Sequence, residues 1–188
     1  MDAVRRAAEA LRRHAQFEPR VLVVLGSGLD DVVDSLQVES SVPFEEIPGI
    51  PSAGVVGHAG RFVFGRSGDL PVLVMQGRVH LYEGHSPDVV VLAVRAARMI
   101  GCDTLIVTNA AGGLGSEVHP GDIVMLSDHI NLFGANPLVG PNLDELGTRF
   151  PPMATAYTER LRELARTTAS ELSVPIAEGV YAGVLGPS

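Results

Sequence analysis

Three stretches of this chain gather residue types able to hold an anion. The first is Gln76-Gly77-Arg78-Val79-His80-Leu81-Tyr82-Glu83-Gly84-His85. If its backbone is extended, Arg78, His80 and Tyr82 share one face, with Val79 and Leu81 on the other. That face offers a guanidinium fork, an imidazole and a phenol, and a guanidinium suits bidentate phosphate recognition. The same pattern also fits an ordinary half-exposed strand. Glu83, three residues after His80, either orients that imidazole or is simply solvated. A carboxylate on one ring nitrogen would leave the other to donate to an anion. His80 and Glu83 are therefore the candidate catalytic residues.

The second stretch is Gly26-Ser27-Gly28, directly after the apolar run Val21-Leu22-Val23-Val24-Leu25 and before a short helix over 29–36. Strand, glycine turn and helix start bring unpaired N–H groups and the positive helix end together, and Ser27 adds a hydroxyl donor. A dinucleotide fingerprint would need a third glycine where Asp31 stands, and a carboxylate there repels a pyrophosphate. A serine-hydrolase elbow is excluded, since Gly-x-Ser-x-Gly is missing. The third stretch, Leu105-Ile106-Val107-Thr108-Asn109-Ala110-Ala111-Gly112-Gly113, starts as a buried strand and ends in small residues. Small side chains at a strand's carboxyl end let a ligand approach the backbone, although a plain tight turn would look the same. His58, within Gly57-His58-Ala59-Gly60, sits among small neighbours and is accessible or mere surface. His80 and His85 lack the spacing and glutamate of a metal motif, so phosphate is preferred to metal. Ser127-Asp128-His129 invites a dyad, but neighbours on an extended chain point to opposite faces, so both take structural roles.

The elements that must carry these groups follow from periodicity. Residues 2–15 read as a helix with Val4, Ala7, Ala8, Leu11 and Ala15 on one side. Residues 61–65 and 71–75 read as a hairpin or meander around Ser67-Gly68-Asp69. Ser86-Pro87-Asp88 starts a largely buried crossover helix that runs to 99–100 and stops at Gly101. Residues 123–126 are a strand, 131–152 a long loop rich in glycine and proline, 157–172 an amphipathic helix and 175–185 a strand. These elements predict an α/β fold in a single domain over 1–188, with a central mixed, mostly parallel sheet flanked by helices.

With 188 residues, 46% hydrophobic and 19% charged, the chain can build a real core. A net charge of −8 argues against a nucleic-acid partner, yet a pocket for a small anion needs only a few local donors. No apolar run approaches the ~18 residues of a membrane span, and no signal or transit peptide is evident. Cys102 is the only cysteine, so neither an intrachain disulfide nor a thiolate cluster can form; a cytoplasmic location fits.

Taken in order, several motifs resemble the trimeric class of purine nucleoside phosphorylases. They are Leu25-Gly26-Ser27-Gly28-Leu29, Gly57-His58-Ala59-Gly60, Gly77 through Gly84, Thr108 through Gly113, Ser127-Asp128-His129-Ile130-Asn131-Leu132 and the final Gly186-Pro187-Ser188. Methylthioadenosine phosphorylases share the architecture and are the alternative, as is a phosphate- or nucleoside-binding module without turnover. The resemblance implies phosphorolysis of purine ribonucleosides and deoxyribonucleosides to free base and the pentose 1-phosphate, in purine salvage. It implies inorganic phosphate as co-substrate with no metal or organic cofactor, and a homotrimer at full length. Ser27, His58, Arg78, His80 and the backbone N–H of Ala110 would hold phosphate. Tyr82, Phe150 and Tyr181 would contact the nucleoside, Phe150 from a neighbouring subunit. The family's base-contacting glutamate and asparagine would fall after Ser188, so the domain is expected to be incomplete at its C-terminal end. Turnover by residues 1–188 is expected to be slower than the family's.

Overall fold

The strand Val21–Leu25 (β1) pairs on both sides within the larger sheet. The structure, a computed structural model, describes residues 1–52 and 59–186. In chain order the elements are α1 (Asp2–His14), β1, a 3-10 helix (Asp30–Ser35), β2 (Gln37–Pro43), β3 (Arg61–Ser67) and β4 (Leu70–Gln76). Then come α2 (Pro87–Val90), α3 (Leu92–Met99), β5 (Thr104–Val107), β6 (Ile123–Asn131), α4 (Glu159–Glu171) and β7 (Ile176–Gly183). Two compact units result: Met1–Ala110 with Leu143–Leu146, and Ala111–Asn142 with Gly147–Ser188.

In the first unit five strands form one sheet in the order β2-β3-β4-β1-β5. β1 is parallel to both β4 and β5, while β3 is antiparallel to both β2 and β4. The sheet is therefore mixed, as expected, and the hairpin at 61–75 is present. Alternation along β1 divides its side chains between two cores. Leu22 and Val24 pack with Phe62, Phe64, Leu73 and Met75 beneath α1 and α3. Val21 and Leu25 pack on the other face with Val63, Val72, Val74 and Val33 of the 3-10 helix. α1 fits its prediction, with Val4, Ala7, Ala8 and Leu11 buried and its arginines outward.

Four local expectations are corrected. The run Leu105-Ile106-Val107 is not buried: these residues are 46%, 48% and 55% exposed. β5 is the edge strand of its sheet, and an apolar run looks the same at an edge as in the centre. The helix after Gly28 is a six-residue 3-10 helix, so its dipole is short. The single helix over 86–100 is broken at Val91, where α2 ends and α3 begins. Three successive β-branched valines, 89 to 91, crowd the preceding turn and weaken helix continuity there. Residues 78–80 are irregular, and Leu81–Glu83 is a 3-10 turn in place of the expected strand.

The second unit is a parallel pair, β6 and β7, with α4 between them in sequence. The register shifts between Leu126 and Asp128. Arg162 and Arg166 of α4 both pair with Glu178 of β7, and Arg166 also reaches Glu159 and Glu163. These pairs hold Glu178 down to a pKa of about 2, chiefly through the Arg166 and then the Arg162 hydrogen bonds. The long loop is present and is braced by its own side chains: Arg149 Nη1 donates to Leu138 O at 2.7 Å and to Gly140 O at 2.8 Å. Asp128 accepts the backbone N–H of His129 at 2.8 Å, while the His129 ring meets the Tyr157 hydroxyl at 3.2 Å. Among the described residues no helix is long and apolar enough to cross a membrane.

Candidate active site

Three neighbouring parallel strands, β4, β1 and β5, end on the same edge of the sheet. The turn Gly26–Gly28 follows β1, the segment Gly77–Gly84 follows β4, and Thr108 to Ala110 follow β5. The carboxyl ends of parallel strands are where α/β sheets accept ligands, because the loops there converge and strand side chains do not fill the space.

Thr108 ties two of these ends together. Its hydroxyl accepts the Gly26 N–H at 2.8 Å and donates to Val24 O at 3.1 Å. The approach is close: a Cβ on Gly26 would lie 2.8 Å from both Asn109 Cα and Thr108 O. Only glycine permits that contact. Arg78 joins the third end, donating from Nη1 to Thr108 O at 2.7 Å. From Nε it donates to His80 Nε2 at 3.1 Å.

His80 is held from its other side by Glu83. One carboxylate oxygen lies 2.8 Å from His80 Nδ1 and accepts the His80 backbone N–H at 2.8 Å. Both side chains are 15% exposed. The same carboxylate draws Leu81–Glu83 into its 3-10 turn, which Gly84 closes in the left-handed region at φ 88°. Burial opposes ionisation of Glu83. The His80 ring and backbone hydrogen bonds, then the charges of His80 and His85, outweigh it and hold the carboxyl below its ordinary 4.5. The partners also assign the ring's proton: Nε2 accepts from Arg78, so Nδ1 carries the hydrogen given to Glu83. In this arrangement Nε2 accepts from Arg78. Tyr82 stacks on the His80 ring at 4.6 Å and 17° and is exposed.

The structure thus brings Arg78, His80, Tyr82 and Glu83 together, beside Ser27 and Ala110 on adjoining strand ends. Ser27 and Ala110 are exposed. His58 lies outside the described residues. Phe150 and Tyr181 belong to the second unit: Phe150 is 83% exposed at the end of the braced loop, and Tyr181 is half-buried on β7 opposite His129. Sequence reasoning gave no role to Thr108 or Gln76. A threonine directly after an apolar strand is a weak signal that only the Gly26 contact makes specific. No group of three or more potential metal ligands occurs among the described residues.

Residues 20–188 match the family model described as the phosphorylase superfamily. The chain belongs to the phosphorylase superfamily. Within that family it is 44% identical to purine nucleoside phosphorylase 1 of Geobacillus stearothermophilus, over 99% of this chain and 68% of the relative. It is 43% identical to purine nucleoside phosphorylase 1 of Bacillus subtilis, over 100% of this chain and 69% of the relative. The chain therefore spans about two thirds of the length of these relatives. A solved purine nucleoside phosphorylase in complex with ribose-1-phosphate matches with a TM-score of 0.92 and 40% identity. That match covers 100% of this chain and 71% of the other.

Proposed function

We propose that this chain is a purine nucleoside phosphorylase, cleaving purine ribonucleosides and deoxyribonucleosides with inorganic phosphate to free base and pentose 1-phosphate. The observation that carries the reading is the Glu83–His80–Arg78–Thr108–Gly26 chain of contacts across three parallel strand ends. It places a guanidinium and an oriented imidazole beside a glycine turn and small-residue backbone. The homologous purine nucleoside phosphorylases, one of them solved with ribose-1-phosphate, support the same chemistry.

Phosphate held by Ser27, His58, Arg78, His80 and the Ala110 N–H would lie under the anomeric carbon. As the C1′–N9 bond lengthens, its electron pair leaves with the purine and positive charge grows on the sugar. A fixed anion stabilises that charge and is already placed to form the new C1′–O bond. Tyr82 and Tyr181 contact the nucleoside in this reading, and Phe150 does so across a subunit boundary in a homotrimer. No metal or organic cofactor has a step here; phosphate is the co-substrate. A cytoplasmic enzyme of purine salvage is the setting proposed.

Titration of the chain with inorganic phosphate, beside Arg78→Ala, tests the reading. Loss of a charge-assisted hydrogen bond is worth about 2–3 kcal/mol, so affinity should fall roughly 30- to 150-fold. Unchanged binding would remove Arg78 from the site. Phe150→Ala should weaken nucleoside binding more than phosphate binding, and a fully active monomer would refute the cross-subunit role.

A further inference from the structure

Gln76 ends β4 and is only 4% exposed, a buried polar side chain in an otherwise apolar strand. Its sheet neighbours are Leu25, the residue before the Gly26–Gly28 turn, and Arg61, the first residue of β3. Its Oε1 accepts from Arg61 Nε at 2.6 Å, and its Nε2 donates to Asp30 O at 3.0 Å. Its backbone carbonyl accepts the Gly60 N–H at 2.9 Å. Arg78 follows two residues later.

One amide thus spans three pieces of the strand-end region: the start of the 3-10 helix behind the glycine turn, the entry to β3, and the strand that delivers Arg78. An apolar residue would fill the same place without needing partners, whereas a buried amide is costly unless both its ends are bonded. Both ends are bonded. Asp30 Oδ1 is buried there with no hydrogen-bond partner, while Asp30 O receives the Gln76 amide. The Gln76 amide bonds the Asp30 backbone carbonyl and so ties the start of the 3-10 helix to β4.

We infer that Gln76 is a positioning residue, setting the Gly26–Gly28 turn and the Arg78 arm at the spacing that phosphate requires. The inference rests on the phosphate reading of this site. It is tested by calorimetric titration of the wild-type chain, Gln76→Leu and Gln76→Glu with inorganic phosphate and, separately, inosine. Gln76→Leu should bind phosphate about 10-fold more weakly, the loss expected for one buried hydrogen bond that fixes geometry, while inosine affinity changes less than about 2-fold. Gln76→Glu keeps the acceptor for Arg61 and loses the donor to Asp30 at neutral pH. Its carboxylate also faces the Asp30 carbonyl oxygen, so phosphate affinity should fall at least as far as in Gln76→Leu, again with inosine affinity changed less than about 2-fold. A purely structural role would lower the melting temperature and leave the phosphate-to-inosine ratio unmoved; that result overturns the inference. If Gln76→Leu does not fold, Gln76→Glu carries the same comparison. Absence of phosphate binding by the wild-type chain overturns the functional reading itself. Wild-type binding that both variants retain in full overturns this inference alone.

Discussion

Anion affinity should be coupled to proton uptake at His80, and Glu83→Gln should lower that affinity. In the structure His80 Nε2 accepts from Arg78 while Nδ1 faces Glu83. For the ring to donate to an anion through Nε2 it must gain a proton, and Arg78 Nε must turn from the ring to the anion. Sulfate is the cleanest probe because it does not titrate between pH 5 and 9. Glu83 favours the charged ring at 2.8 Å. Coulomb attraction at that distance is about 6 kcal/mol at an effective dielectric of 20, an upper bound before desolvation. Glutamine keeps the acceptor and loses only the charge. The difference between a charge-assisted and a neutral hydrogen bond, about 1–1.5 kcal/mol, therefore decides the magnitude. Sulfate affinity at neutral pH should fall about 10-fold. The assay is titration calorimetry in buffers of different ionisation enthalpy, which counts protons bound per sulfate. Wild type should take up protons, approaching one per sulfate as pH rises, with affinity falling as pH rises. Because the Glu83 pKa is lowered, its help is fully present above 4.5 and is lost as pH falls through its depressed value. Zero proton uptake, or identical curves for wild type and Glu83→Gln, would mean that the Glu83-held His80 ring does not donate to the anion.

Other outcomes follow from single contacts. Thr108→Val removes the acceptor for Gly26 N–H and the donor to Val24 O, so urea unfolding should report about 1–3 kcal/mol less stability and titration weaker phosphate binding. Gly26→Ala puts a methyl 2.8 Å from the Asn109 backbone and should cost about 1–3 kcal/mol by the same measurement. Arg149→Ala unclasps the loop from Leu138 O and Gly140 O, so limited proteolysis between residues 136 and 150 should accelerate. Glu178→Gln should flatten the acid dependence of stability between about pH 4.5 and 2. The lowered pKa makes its contribution present above 4.5 and lost as pH falls through about 2.

Much of the fold could be read in advance where burial and periodicity coincide. β1 is apolar along its length because strands pair on both sides of it, and α1 carries its stripe because only one side meets the sheet. β2 was missed for the opposite reason. Gln37–Pro43 is polar because it pairs only with β3 and buries only Val42. The polar–apolar alternation after Gln76 correctly grouped Arg78, His80 and Tyr82 but for the wrong cause. A carboxylate hydrogen bond and a left-handed glycine, not an extended strand, bring them together. The Glu83–His80 contact was legible from spacing. The tautomer was not, because it depends on Arg78, whose direction is set by Thr108 thirty residues away. Thr108 and Gln76 act through contacts distant in sequence, and no local pattern marks them.

The proposed reaction joins phosphate to the sugar as the purine leaves. The most direct measurement is phosphorus NMR of the chain incubated at length with inosine and inorganic phosphate. Ribose 1-phosphate should accumulate in step with free hypoxanthine, with neither formed when phosphate is omitted. Hypoxanthine accompanied by free ribose, or no release of base at all, would contradict it.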